Sequence, residues 1–184
     1  MKLTVPTILT LLRIALIPVL MLVMYLPVTW RNELAVAVFI LAGVTDWLDG
    51  WLARRTGQVS RFGAFLDPVA DKLMVSIALI MIIARHPDWS LVIAAAVIIG
   101  REITVSALRE WMAELGSRGL VAVGWLGKFK TTSQMIAIGF LLYAEPLFGL
   151  PVFAIGQWLL IIAAGLTLWS MISYLRAAWP EISK

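Results

Sequence analysis

The chain has 184 residues, carries 15 lysines and arginines against 11 acidic residues for a formal charge of +4, and is 61% hydrophobic with a mean hydropathy of +0.94. That composition excludes a soluble globular domain, and a charged fraction of 14% without any low-complexity stretch excludes a disordered chain. No cysteine is present, so disulfides, thiolate metal sites and thiol nucleophiles are excluded too.

Six apolar spans are predicted at 9–26, 33–54, 67–84, 89–113, 129–143 and 152–177, the fifth being the shortest. Together they predict an all-α, polytopic membrane protein with six transmembrane helices, forming one transmembrane domain over 1–184. The first span holds Arg13, which interrupts the apolar run, and no small-residue cleavage site follows. The segment is therefore expected to be retained rather than removed as a signal peptide. Arg13 itself is expected either to snorkel to the interface or to support a nearby site.

The second span carries Asp46 and Asp49, three residues apart and hence on one helical face. Arg54 and Arg55 mark its end, which puts Asp49 about 8 Å below that end at ~1.5 Å per residue. The third span is predicted to open at Asp67-Pro68, an N-cap followed by proline at the first helical position, with Asp71 one turn on. The fourth holds Arg101 and Arg109, and the fifth begins at "GKFKT" with Lys128 and Lys130. With the N-terminus inside, nine lysines and arginines fall in cytoplasmic segments and two, Arg31 and Arg85, in outer ones. Both termini are therefore predicted to be cytoplasmic.

Four carboxylates converging at a membrane boundary repel one another unless they are protonated or a cation cancels their charge. Arg54 and Lys72 can pair with two of them. Divalent metal does better, and an all-oxygen ligand set suits Mg²⁺ or Mn²⁺. Two cations bridged by aspartates are a known clamp on phosphoryl oxygens. Gly50 and Ala53 lie on the same stripe as Asp46 and Asp49 and leave room for a ligand to approach. Structural ion pairs or helix caps are the alternative reading, strong for Asp67 alone and weak for the quartet with its small residues. Intramembrane acids also mark ion transporters, but those sites tend to lie at the midplane between inverted repeats, and no repeat is visible.

The spacing Asp46-x2-Asp49-Gly50-x2-Ala53-Arg54-x8-Gly63-x3-Asp67-x3-Asp71 fixes eight positions in 26 residues. It resembles, without departure, the signature of the CDP-alcohol phosphotransferases. The likeness extends through "REITVSALREWMAELG" and "GKFKTTSQM" to the bacterial members that take glycerol 3-phosphate. At "TVPTILTLLR" the chain departs from the many relatives that carry asparagine beside the proline. The resemblance implies the fold of that family, six transmembrane helices and a homodimer in the bacterial inner membrane. It implies two divalent cations, Mg²⁺ or Mn²⁺, held by Asp46, Asp49, Asp67 and Asp71, with Asp71 as general base. It further implies CDP-diacylglycerol bound at Asp49, Gly50, Ala53, Arg54 and Gly63, with the arginine on its phosphates. The reaction would move a phosphatidyl group to the 1-hydroxyl of sn-glycerol 3-phosphate and release CMP. Serine and inositol phosphate are the alternative acceptors, and no nucleic-acid partner is expected.

The acceptor is read from the remaining bases. Lysines at a helix start are unfavourable for the helix but suit an anion, which free backbone N–H groups also bind. Glu102 and Glu110 can neutralise Arg101 and Arg109, yet with Lys128 and Lys130 nearby a net positive pocket remains. Arg118, in "LGSRG", joins the predicted glycerol-phosphate set. His86, in "RHPD", is expected to be a solvated loop residue. Trp47 and Trp51 are expected to pack against helices or lipid, and Trp30, Trp89, Trp111, Trp125 and Trp179 to anchor the interfaces.

Overall fold

The computed structural model describes residues 4–57, 60–114 and 125–182. Six helices run in order: α1 Val5–Tyr25, α2 Arg31–Thr56, α3 Arg61–Arg85, α4 Trp89–Glu114, α5 Trp125–Tyr143 and α6 Val152–Ile182. No strand occurs among the described residues, where only an isolated bridge joins Leu147 and Leu150. The protein is all-α.

The helix ends follow from local chemistry. Proline enters the first turn of α1 at Pro6, where a missing N–H costs no hydrogen bond. Thr4, at the cap position, makes no side-chain cap bond, and its hydroxyl meets that of Thr7 at 2.8 Å instead. Gly57 closes α2 in the left-handed conformation (φ 65°), its N–H donating to the Ala53 carbonyl. Asp88 opens α4 by accepting from the N–H of Ser90 at 2.8 Å. Hydrogen bonds from the Ser90 hydroxyl and N–H hold the Asp88 carboxyl below its usual range.

One predicted boundary is wrong. Helix α3 begins at Arg61, so Asp67 and Pro68 lie inside it rather than at its start. The cap is Ser60, whose Oγ accepts the Gly63 N–H at 2.9 Å and lies 2.7 Å from Thr7 Oγ1 on α1. A cap that also ties two helices together wins over an isolated aspartate.

Among the described residues, four helices, α1, α2, α4 and α6, contain segments long and apolar enough to cross a membrane. Helix α3 carries Asp67, Asp71 and Lys72 in its first half, and α5 has a shorter apolar segment, Thr131–Tyr143. Exposed Leu22, Ile40, Ile93 and Ile162 clothe the outside in hydrocarbon. This is an integral membrane protein.

Helix α3 packs against α1, α2, α4 and α5, while α6 packs against α4 and α5. The bundle is divided along its length. One half is a dry core of Leu20, Ala35, Leu79, Ile82, Ile98 and Leu141. The other half collects the buried polar groups Thr7, Thr10, Arg13, Thr45, Asp49, Arg101, Gln134 and Thr167. Beyond the dry half, the Asn32 amide links Arg85 (3.2 Å) to Glu145 (3.3 Å). His86 caps α3 there, half-buried with its ring 4.7 Å from Phe153, rather than solvated as the sequence suggested. Burial, with Arg85 and Arg31 nearby, lowers its pKa.

Gly156 lets α5 and α6 approach closely. A Cβ there would lie 2.9 Å from Phe140 Cβ and 3.1 Å from the Ala137 carbonyl oxygen. Backbone cannot yield as a flexible side chain can, so Gly156→Ala should cost about 1–3 kcal/mol. Thermal unfolding in detergent should show a melting point several degrees lower. An unchanged melting point would mean the helices separate freely.

Candidate active site

The polar half is organised around Arg13. Thr7, Thr10 and Arg13 recur every three residues and so share one face of an otherwise apolar α1. That face meets α2 and α3. Arg13 is 1% exposed, and its Nη1 lies 2.8 Å from Asp46 Oδ1 and 3.1 Å from Asp67 Oδ1. Its Nη2 lies 2.5 Å from Asp49 Oδ2. The Thr10 hydroxyl is shared between the Pro6 carbonyl (3.1 Å) and Asp49 Oδ2 (3.4 Å). One guanidinium thus collects three carboxylates from two helices.

The cations proposed from sequence are elsewhere. Arg54 is exposed at the end of α2 and lies back over Gly50, where an added Cβ would sit 3.4 Å from its Nη1. Lys72 donates to Ser106 Oγ on α4. Among the described ion pairs, neither binds an aspartate.

Ligand oxygens of Asp46, Asp49 and Asp67 all lie within 4.8 Å of one another. Three hard oxygen donors at that separation, already drawing one cation, fit a divalent metal better than they fit isolated surface charge. Asp71 stands apart from this triad. It follows Asp67 by one turn and lines a different cavity.

Two cavities flank the carboxylates. The first, about 150 Å³, lies between α1, α2 and α3 and is lined by Thr7, Thr10, Asp49, Gly50, Ala53, Ser60, Gly63 and Asp67. It brings together four of the five residues predicted for the nucleotide donor, Asp49, Gly50, Ala53 and Gly63. A Cβ at Gly63 would meet Thr7 Oγ1 at 2.8 Å and Ser60 Oγ at 2.9 Å, so a side chain there would break the hydroxyl pair that forms the cavity wall. The second cavity, about 190 Å³, joins Asp71, Lys72, Arg101, Glu102, Arg109, Thr131, Gln134 and Tyr174.

Within the second cavity Arg101 pairs with Glu102 at 2.7 Å and donates to Ser170 Oγ at 3.3 Å. Arg109 has no acid among the described ion pairs, its Nε is buried without a partner, and its guanidinium lies 5.6 Å from the Tyr174 ring. The Glu110 neutralisation considered from sequence is not made. Glu110 is exposed. Arg118 lies outside the described residues, as do the side chains of Lys128 and Lys130.

Thr7, Thr10 and Ser60 were missed as site residues, although the three-residue spacing on α1 was available to find two of them. Gln134 and Tyr174 had no such signal. Their place depends on how α5 and α6 pack, which no local pattern encodes. Trp47 and Trp51 are both exposed, with Arg55 stacked 4.9 Å from the Trp51 ring.

The CDP-alcohol phosphatidyltransferase family matches this chain over residues 3–169. The CDP-diacylglycerol–glycerol-3-phosphate 3-phosphatidyltransferase of Escherichia coli (strain K12) is 53% identical over 182 residues, covering 99% of this chain and 98% of that protein. The protein of the same name from Shigella flexneri is similar to the same degree over the same share of each chain. Near-complete coverage at that identity, together with the carboxylate triad, makes this chain a member of the CDP-alcohol phosphatidyltransferase family.

Proposed function

We propose that this protein transfers the phosphatidyl group of CDP-diacylglycerol to sn-glycerol 3-phosphate, giving phosphatidylglycerol phosphate and CMP in anionic phospholipid synthesis. One observation carries the reading: α3 presents Asp67 to the carboxylate triad and, one turn later, Asp71 to the arginine-lined cavity. Donor and acceptor sites thereby meet on a single helix. The names of the 53%-identical relatives agree with this activity.

Asp46, Asp49, Asp67 and Asp71 would hold two divalent cations, Mg²⁺ or Mn²⁺. When bound, these neutralise the charge that gathers on the pyrophosphate oxygens. The chain's own residues do the rest. Gly50, Ala53 and Gly63 leave the floor of the first cavity clear for the cytidine end, and Arg54 takes a phosphate. Asp71 accepts the proton of the glycerol hydroxyl as its oxygen bonds to the phosphorus bearing diacylglycerol. The P–O bond to CMP breaks. Arg101 and Arg109 hold the acceptor phosphate, with Arg118, Lys128 and Lys130 completing the set.

An apolar groove of about 420 Å³ between α2 and α5 suits the lipid end of the donor. Met135 lines both this groove and the second cavity, so acyl chains can leave the polar site directly into hydrocarbon. The protein is read as a single domain with six membrane-crossing helices, acting as a homodimer in the bacterial inner membrane. The excess of lysine and arginine at the carboxylate end supports a cytoplasmic active site and cytoplasmic termini.

The test is radiolabelled CMP release by detergent-purified protein offered glycerol 3-phosphate, serine, inositol 1-phosphate or phosphatidylglycerol. Glycerol 3-phosphate should be the best acceptor, and preference for serine would overturn the assignment. Arg109→Ala and Arg101→Ala should each raise the acceptor KM roughly 10- to 100-fold, the loss of a charge-assisted hydrogen bond. The donor KM should stay within about twofold, because these arginines serve only the acceptor. Equal rises in both would remove them from the acceptor pocket.

A further inference from the structure

Arg13 is not part of the eight-position signature, yet among the described residues it is the most buried charge in the site and the group that every member of the triad touches. A buried arginine needs acids around it, and three clustered carboxylates need a cation. Arg13 meets both needs. Its fork spends Nη1 on Asp46 and Asp67 and Nη2 on Asp49, while Nε is buried with no partner. The head is therefore held by the carboxylates alone and not by any anchor of its own. One positive charge against three negative ones leaves the cluster still short of cation. A divalent ion drawn to that deficit must share the same oxygens with a guanidinium that cannot be deprotonated.

We propose that Arg13 is a built-in counter-ion that competes with divalent metal for the triad, so that it keeps the empty site folded and limits how tightly the metal is held. This rests on the metal reading above.

The experiment measures Mn²⁺ binding to the detergent-purified full chain by electron paramagnetic resonance at fixed pH, with thermal unfolding in metal and in EDTA. Arg13→Gln should bind Mn²⁺ at least about tenfold more tightly, the effect of removing one nearby positive charge. It should also lose far more melting temperature in EDTA than the wild type does. Arg13→Lys, which keeps the charge but not the fork, should fall between them. A merely structural arginine predicts the opposite sign, because a damaged site binds metal less well. Equal or weaker Mn²⁺ binding by Arg13→Gln would overturn the proposal, as would failure of that variant to fold even with Mn²⁺ present throughout. If neither protein bound Mn²⁺, the metal reading itself would fall, and this inference with it.

Discussion

Asp49→Asn and Asp67→Asn should each lower kcat by about three orders of magnitude or more, the scale lost when a charged group that steadies transition-state charge is removed. The substitutions are isosteric, so packing is retained while one negative charge leaves the triad. Asp49 is 4% exposed and takes hydrogen bonds from both Arg13 and Thr10, so its amide variant also turns one donor against Arg13. Asp46 is exposed and should tolerate the change better in stability, though not in rate. EDTA should abolish wild-type turnover, and Mg²⁺ or Mn²⁺ should restore it. The check is initial-rate CMP release beside a thermal melt of each variant. Turnover within threefold of wild type, or full activity in chelator, would sink the metal assignment.

Asp71→Asn should separate chemistry from binding. Asp71 lies outside the triad and faces the cavity that holds Arg101 and Arg109, where the acceptor hydroxyl would approach. An amide cannot accept the proton, so kcat should fall roughly 10²- to 10⁴-fold, the usual worth of a positioned base. Equilibrium binding of CDP-diacylglycerol should remain within about threefold, since the triad keeps its charge. Weakened binding with near-normal turnover would instead make Asp71 a donor ligand and leave the base unassigned.

The contrast between Asp67 and Asp71 shows how far sequence reading could go. Both were legible as one helical face from their four-residue spacing, and both lie on α3. Their division between two cavities was not legible, because it depends on α1 closing over Asp67 and α4 standing opposite Asp71. The start of α3 was misplaced for a similar reason. Asp67-Pro68 is the stronger local signal, but Ser60 gains a partner, Thr7, that lies 53 positions away. Arg13 illustrates the limit in reverse. Its charge amid apolar residues marked it for notice, whereas its three partners come from helices whose docking the first span does not encode. Shared helical faces could be read from spacing, though the Thr7 and Thr10 face of α1 was overlooked, whereas partners brought in by helix packing could not be read at all.

The unequal halves of the bundle bear on electrical insulation. A membrane that stores energy as an ion gradient charges about 2.3 kcal/mol for each elementary charge moved through 100 mV. An enzyme that admits water, lysines, arginines and phosphate esters part-way across that barrier risks short-circuiting it. Here the wet end stops at a plug of Leu20, Leu79, Ile82, Ile98 and Leu141, each at most 1% exposed and none able to pass a proton. Gln134 and Met135 stand at the boundary, with the plug beginning at Ala137 and Ile138 within a single turn. Among the described residues the polar cavities thus end against an apolar barrier, which lets chemistry on charged headgroups proceed beside the bilayer core without opening a leak through it.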